Sequence, residues 1–185
     1  MIECYITDRQ ALRGETLLDS IARNLRSGVT WIQIREKDLS ARDLLELVRR
    51  ARELSNPHAT KLIVNTRIDV ALAAGADGAH FPGGSPEPKR WRAIVPAGFL
   101  LGVSCHTVEE VAAAESEGAT YALFGPVFEP LSKVSLLTPR GLGELQKAVQ
   151  RVQIPVLALG GITRANTAAC ITAGAQGVSG ISLYL

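Results

Sequence analysis

The chain is poor in the residues that build cross-linked or metal-bound scaffolds. Its 185 residues hold three cysteines, Cys4, Cys105 and Cys170. Odd in number and far apart, they exclude a disulfide framework and any paired metal-ligand spacing. They read as buried free thiols of a protein kept in a reducing cytoplasm. No apolar run reaches the roughly 20 residues that a membrane span needs, and Met1-Ile2-Glu3-Cys4 begins a strand rather than a signal peptide. An excess of charge is lacking too. The net charge is +2 with the basic residues scattered, so there is no electrostatic case for nucleic acid. The densest basic group, Lys89-Arg90-Trp91-Arg92, reads as the solvated face of a helix. Hydrophobic residues at 46% and charged residues at 21% give a globular balance, and the length fits one domain, 1–185, with no linker.

A strand-then-helix rhythm is present, eight times over. Strands are predicted at Ile2–Thr7, Trp31–Ile34, Lys61–Asn65, Gly78–His80, Leu100–Ser104, Tyr121–Phe124, Ile154–Leu159 and Gln176–Ser179. Helical spacing of apolar residues follows over Thr16–Arg26, after Ser40, over Ile68–Ala74, at Leu142–Val152 and over Arg164–Ala173. Thr107 with Glu110 three residues on forms a capping box for a helix to Glu117, and Pro86–Val95 is a poorly defined helix. The strands are apolar on both faces and nothing suggests a hairpin, so the sheet is parallel and buried by helices. Eight such units predict a compact α/β fold, a (β/α)8 TIM barrel with a truncated or missing last helix. Either the chain as read stops short, or a neighbouring subunit closes the barrel floor, which leaves a homo-oligomer open. A doubly wound sheet is the runner-up, but it wants a glycine-rich turn after the first strand, where Thr7-Asp8-Arg9-Gln10 stands.

In a barrel the chemistry sits where the strands end. Leu159-Gly160-Gly161-Ile162-Thr163 breaks a buried strand on two glycines and restarts as a helix. Gly177-Val178-Ser179-Gly180-Ile181-Ser182 repeats that composition one unit later. Together they mark a phosphate site, because glycine admits the anion to the backbone and the helix start offers unpaired N–H groups. Strand two ends in Gln33-Ile34-Arg35-Glu36-Lys37. Alternation sends Gln33, Arg35 and Lys37 into the barrel mouth as a receptor for an anion or a polar heterocycle. Asn65, His80, Ser104 and His106 end the next three strands. They lack the neighbouring carboxylates that a hard cation needs, so no metal site is expected. The loop after strand six carries Ser132-Lys133 and is long enough to bring Lys133 to an anion over the mouth.

With these residues laid out, the sequence resembles the thiamine phosphate synthase and thiazole tautomerase (TenI-like) family over nearly its whole length. The resemblance is carried by Gln33-Ile34-Arg35-Glu36-Lys37, Ile63-Val64-Asn65, Gly75-Ala76-Asp77-Gly78-Ala79-His80 and Leu101-Gly102-Val103-Ser104. Phe124-Gly125-Pro126-Val127-Phe128, Leu159-Gly160-Gly161-Ile162 and Ala173-Gly174-Ala175-Gln176-Gly177-Val178 add to it. It implies a small phosphorylated thiazole ligand, its phosphate held on Gly160, Gly161, Ile181 and Ser182. Gln33, Arg35, Lys37, Asn65, His80, Ser104 and Lys133 would bind substrate.

Two activities share this scaffold. The synthase joins a pyrimidine diphosphate to the thiazole phosphate with Mg²⁺, and its pattern has an Asp after the strand-three Asn and another beyond the strand-four His. Here those places hold Thr66 and the Asp-free run Phe81-Pro82-Gly83-Gly84-Ser85, so Mg²⁺ enters only if the synthase reading holds. The tautomerase moves one proton without a cofactor, and its characteristic His follows the strand-six glycine, where Pro126 stands. His106 is the nearest substitute base, with Lys37 beside it. The expectation is a cytoplasmic tautomerase, with the synthase as the alternative and a non-catalytic ligand-binding regulator as the third reading.

Overall fold

A computed structural model describes residues 1–129 and 138–185. Eight parallel strands close into a barrel in sequence order: β1 (Ile2–Ile6), β2 (Trp31–Ile34), β3 (Lys61–Asn65), β4 (Gly78–Phe81), β5 (Leu100–Cys105), β6 (Tyr121–Phe124), β7 (Val156–Leu159) and β8 (Gly177–Gly180). Outside them run α1 (Leu17–Ser27), α2 (Ala41–Glu53), α3 (Ile68–Ala73), α4 (Val108–Ser116), α5 (Gly141–Arg151) and α6 (Arg164–Thr172). Strand alternation divides the core. Outward residues such as Ile32, Ile34, Val64 and Leu101 pack on α1 to α3, and Ala122, Phe124, Ala158 and Val178 pack on α4 to α6. Inward residues Cys4, Ile6, Trp31, Ile63, Tyr121, Leu123 and Leu157 fill the barrel itself.

The interior is filled by setting large side chains against glycine. Trp31 and Tyr121 meet with ring centroids 4.7 Å apart. The Tyr121 ring lies across β5 at Gly102, where an added Cβ would come within 2.0 Å of its ring carbon. Any other residue at Gly102 evicts the ring.

Three features depart from expectation, each for a local reason, while the end of the chain follows it. The helix predicted over Pro86–Val95 is a short 3-10 turn at Pro88–Trp91, since Pro86 and Pro88 supply no backbone N–H; Trp91 instead stacks on Phe81 at 6.1 Å. β7 starts at Val156, because Pro155 has no N–H for the ladder and the amides of Gln153 and Ile154 donate to Glu115. In the Thr107 cap, Glu110 donates its N–H to the Thr107 hydroxyl, but its carboxylate accepts from the His106 amide instead of closing the box. After β8 a 3-10 turn at Ser182–Tyr184 stands where the eighth helix would be. The Tyr184 carbonyl accepts from Arg23 and Asn24 of α1, which pins that turn. Cys4, Cys105 and Cys170 are buried free thiols, as expected. No helix among the described residues is long and apolar enough to cross a membrane.

Candidate functional site

All eight strands contribute to one cavity of about 270 Å³ at the C-terminal mouth of the barrel. Ile6, Leu123 and Leu159 give it an apolar lining, and Gln33, Arg35, Asn65, His80 and Ser104 form a polar wall. Gly160, Gly161, Ile181 and Ser182 face it from the β7 and β8 ends. The structure thus brings together nine of the residues singled out from the sequence.

Lys37 and His106 are placed elsewhere. β2 ends at Ile34, and the chain then turns, with the Leu39 amide donating to the Glu36 carbonyl. Alternation therefore stops at Arg35. Lys37 lies in a neighbouring pocket with Thr66 and Arg67, which shares Asn65 with the main cavity. His106 sits past the end of β5, in a pocket between the 82–85 loop and α4. Its Nδ1 is 2.6 Å from the Gly125 carbonyl, which can only accept, so that nitrogen carries the proton. Neither residue lines the cavity to which the sequence assigned it. Lys133 lies outside the described residues.

Long-range contacts invisible in the sequence fix Arg35. Its amide donates to the Thr7 hydroxyl at 2.9 Å, and that hydroxyl donates to buried Glu36 at 2.6 Å. Glu36 also takes the Arg9 amide and guanidinium. Glu36 is thereby paired with Arg9 rather than with its chain neighbour Arg35. The Arg35 guanidinium has no acidic partner among the described residues and stands half-buried at the cavity wall. At the β7 and β8 ends of the same cavity, the amides of Gly161, Ile162, Ile181 and Ser182 have no acceptor among the described residues. An unpaired guanidinium and a set of unpaired amides around one hollow are complementary to anions.

His80 links the two sides of the polar wall. Its Nδ1 is 3.1 Å from the Tyr121 hydroxyl and its Nε2 is 2.8 Å from Ser104 Oγ. Burial, helped by the Arg35 charge, pushes its pKa down to about 3. The imidazole is therefore neutral at ordinary pH. The unfolded chain takes up this proton near pH 6.5, whereas the folded one resists it until about pH 3. The stability that His80 lends is complete above pH 6.5 and is lost as pH falls from there toward 3. Urea unfolding at pH 6.5 and 5 should differ by about 2 kcal/mol on this account, and the difference should shrink in His80→Asn. An equal pH dependence in both proteins would refute it.

Comparisons with known proteins give the family. The sequence model of the TMP-TENI family, described as thiamine monophosphate synthase, matches residues 3–183. The chain is 44% identical over 180 residues to a putative thiamine-phosphate synthase of Geobacter sulfurreducens, covering 97% of this chain and 84% of that one. It is 39% identical to putative thiamine-phosphate synthase 2 of Aquifex aeolicus, covering 97% and 95%. Among solved structures, a thiamine phosphate pyrophosphorylase from Pyrococcus furiosus superposes with a TM-score of 0.84 at 32% identity, over 98% of this chain and 85% of the other. The chain belongs to the TMP-TENI family of thiamine-biosynthesis enzymes. The relatives' names are those of the synthase, the alternative in the sequence reading, rather than of the tautomerase.

Proposed function

We propose that this enzyme joins a pyrimidine diphosphate to a thiazole phosphate, as a thiamine-phosphate synthase. The observation that carries the reading is two anion-binding features in one cavity, the Arg35 guanidinium and the amides at 161–162 and 181–182, all without a partner among the described residues. The amide cradle suits the thiazole phosphate, and the wall of Arg35, Asn65 and Ser104 suits the diphosphate. When the bond from pyrimidine carbon to diphosphate oxygen breaks, the diphosphate leaves with the electron pair. The thiazole nitrogen lone pair then forms the new C–N bond to the pyrimidine cation. Arg35 stabilises the charge that grows on the departing diphosphate.

This chemistry needs no base at the reacting carbon. Isomerisation of the thiazole does need one, and the cavity supplies a poor candidate: His80 is held neutral with a pKa of about 3, and His106 lies outside. The sequence expectation of a tautomerase with His106 as base is therefore set aside in favour of the transferase.

The residues present do not fit the Mg²⁺ that the synthase pattern implies. Thr66 sits at φ +65° with its amide bound to the His80 carbonyl. The Ser85 hydroxyl donates to the Pro82 carbonyl. Asp69, three residues after Thr66, is paired with Arg67, and Glu87, two residues after Ser85, is paired with Lys89 and Arg90. No group of three or more His, Cys, Asp or Glu side chains among the described residues could hold a metal ion. Diphosphate charge falls instead to Arg35 and its hydrogen-bonding neighbours.

Amide NMR tests the two halves separately. Added thiazole phosphate should move the signals of Gly161, Ile162, Ile181 and Ser182. Inorganic diphosphate should perturb Arg35, Asn65 and Ser104 equally with Mg²⁺ or with chelator. Shifts confined to other surfaces, or a diphosphate response that appears only with Mg²⁺, would contradict the assignment.

A further inference from the structure

We infer that Tyr121, a residue of the barrel interior, is a positioning residue that makes Ser104 a hydrogen-bond donor to the bound ligand by acting through His80.

Tyr121 is buried, and His80 Nδ1, at 3.1 Å, is the one partner of its hydroxyl among the described residues. A phenol that accepted from Nδ1–H would leave its own proton in an apolar interior with nowhere to go. The phenol therefore donates, and Nδ1 accepts. A neutral imidazole carries one proton, which then sits on Nε2 and donates to Ser104 Oγ at 2.8 Å. Since Ser104 accepts there, its own O–H is free to turn into the cavity that both residues line. With the tautomer reversed, Ser104 would donate to Nε2 and show the cavity only lone pairs. An anionic ligand wants the first arrangement. Burial supports it by keeping His80 neutral.

The fold makes room for this relay. Tyr121 is on β6 and His80 is on β4, with β5 between them. The hydroxyl crosses because the residue between is Gly102, whose added Cβ would lie 2.3 Å from that oxygen. The hydrogen-bonded run Tyr121–His80–Ser104 thus depends on a residue with no side chain.

The test has two arms. In the intact protein labelled with ¹⁵N-histidine, His80 should show a protonated Nε2 and an unprotonated Nδ1 that do not titrate between pH 6 and 8. A protonated Nδ1 on His80 would overturn the inference. This arm needs no substitution and no ligand, so it decides the matter even if a variant fails to fold. The second arm rests on the synthase reading of the cavity and uses inorganic diphosphate with calorimetry. Tyr121→Phe keeps the ring and removes the proton, and should weaken binding about tenfold. In a Ser104→Ala background the same change should add nothing, since the two act in series. An equal loss in both backgrounds would show that Tyr121 merely supports the fold and would overturn the inference. If the unsubstituted protein binds no diphosphate, the synthase reading fails and the histidine spectrum alone judges the tautomer.

Discussion

Arg35→Gln is expected to lower kcat for thiamine phosphate formation by about 10²–10³-fold, the range seen when one preorganised donor to developing charge is removed. The guanidinium faces the cavity without an acidic partner among the described residues, so its charge is available to the diphosphate as that group leaves. Glutamine keeps hydrogen-bonding capacity and loses the charge. Arg35→Lys should recover part of the rate, because it restores a cation without the two-pronged geometry. Folding should be little affected: the backbone at this point is tied through the Arg35 amide to Thr7, which the substitution leaves alone. Steady-state kinetics beside a thermal melt separate the two effects. Unchanged kcat in a folded Arg35→Gln would remove Arg35 from the reaction.

Gly161→Val should destabilise the protein by about 3 kcal/mol, enough to threaten a domain whose total is of order 5–15 kcal/mol. Gly161 has φ +64°, and a Cβ there would lie 2.4 Å from the Glu129 carbonyl oxygen and 2.7 Å from Phe128 Cβ. Backbone conformation and packing under the 126–129 segment both require glycine, apart from any phosphate. The neighbouring carbonyls already serve that segment, with the amides of Val127 and Phe128 donating to Leu159 and Gly160. Chemical denaturation measures the loss. A Gly161→Val protein as stable as the parent would contradict the described path of this segment. Because the substitution disturbs the fold, it is a poor probe of phosphate affinity, and backbone amide shifts are the cleaner one.

The barrel was legible because its rule is local and repeats. Strands buried on both faces read as short apolar runs, and most are followed by a segment of helical period, some with a clear cap, as at Ser40 and Thr163. The wall residues Gln33, Asn65, His80 and Ser104 were legible for the same reason, since each is a polar group on the inward register near a strand's end. Legibility failed where the period failed. Lys37 was assigned inward by carrying alternation past the end of β2, and His106 by assuming that the residue after β5 still faces the axis. Residues whose roles arise from distant partners gave no local signal. Thr7 meets Glu36 across 29 residues of chain, and Tyr121 meets His80 across 41. A hint for Tyr121 was there, in a polar-tipped aromatic on the same inward register as Leu123.

The central claim is that one cavity holds both phosphorylated partners and couples them. The direct measurement incubates the protein with thiazole phosphate and pyrimidine diphosphate, with and without Mg²⁺, and follows thiamine phosphate and released diphosphate. The account predicts both products in equal amounts, with Arg35→Gln slow under the same conditions. Thiazole isomerisation without thiamine phosphate, or tight binding of both compounds with no product, would contradict it.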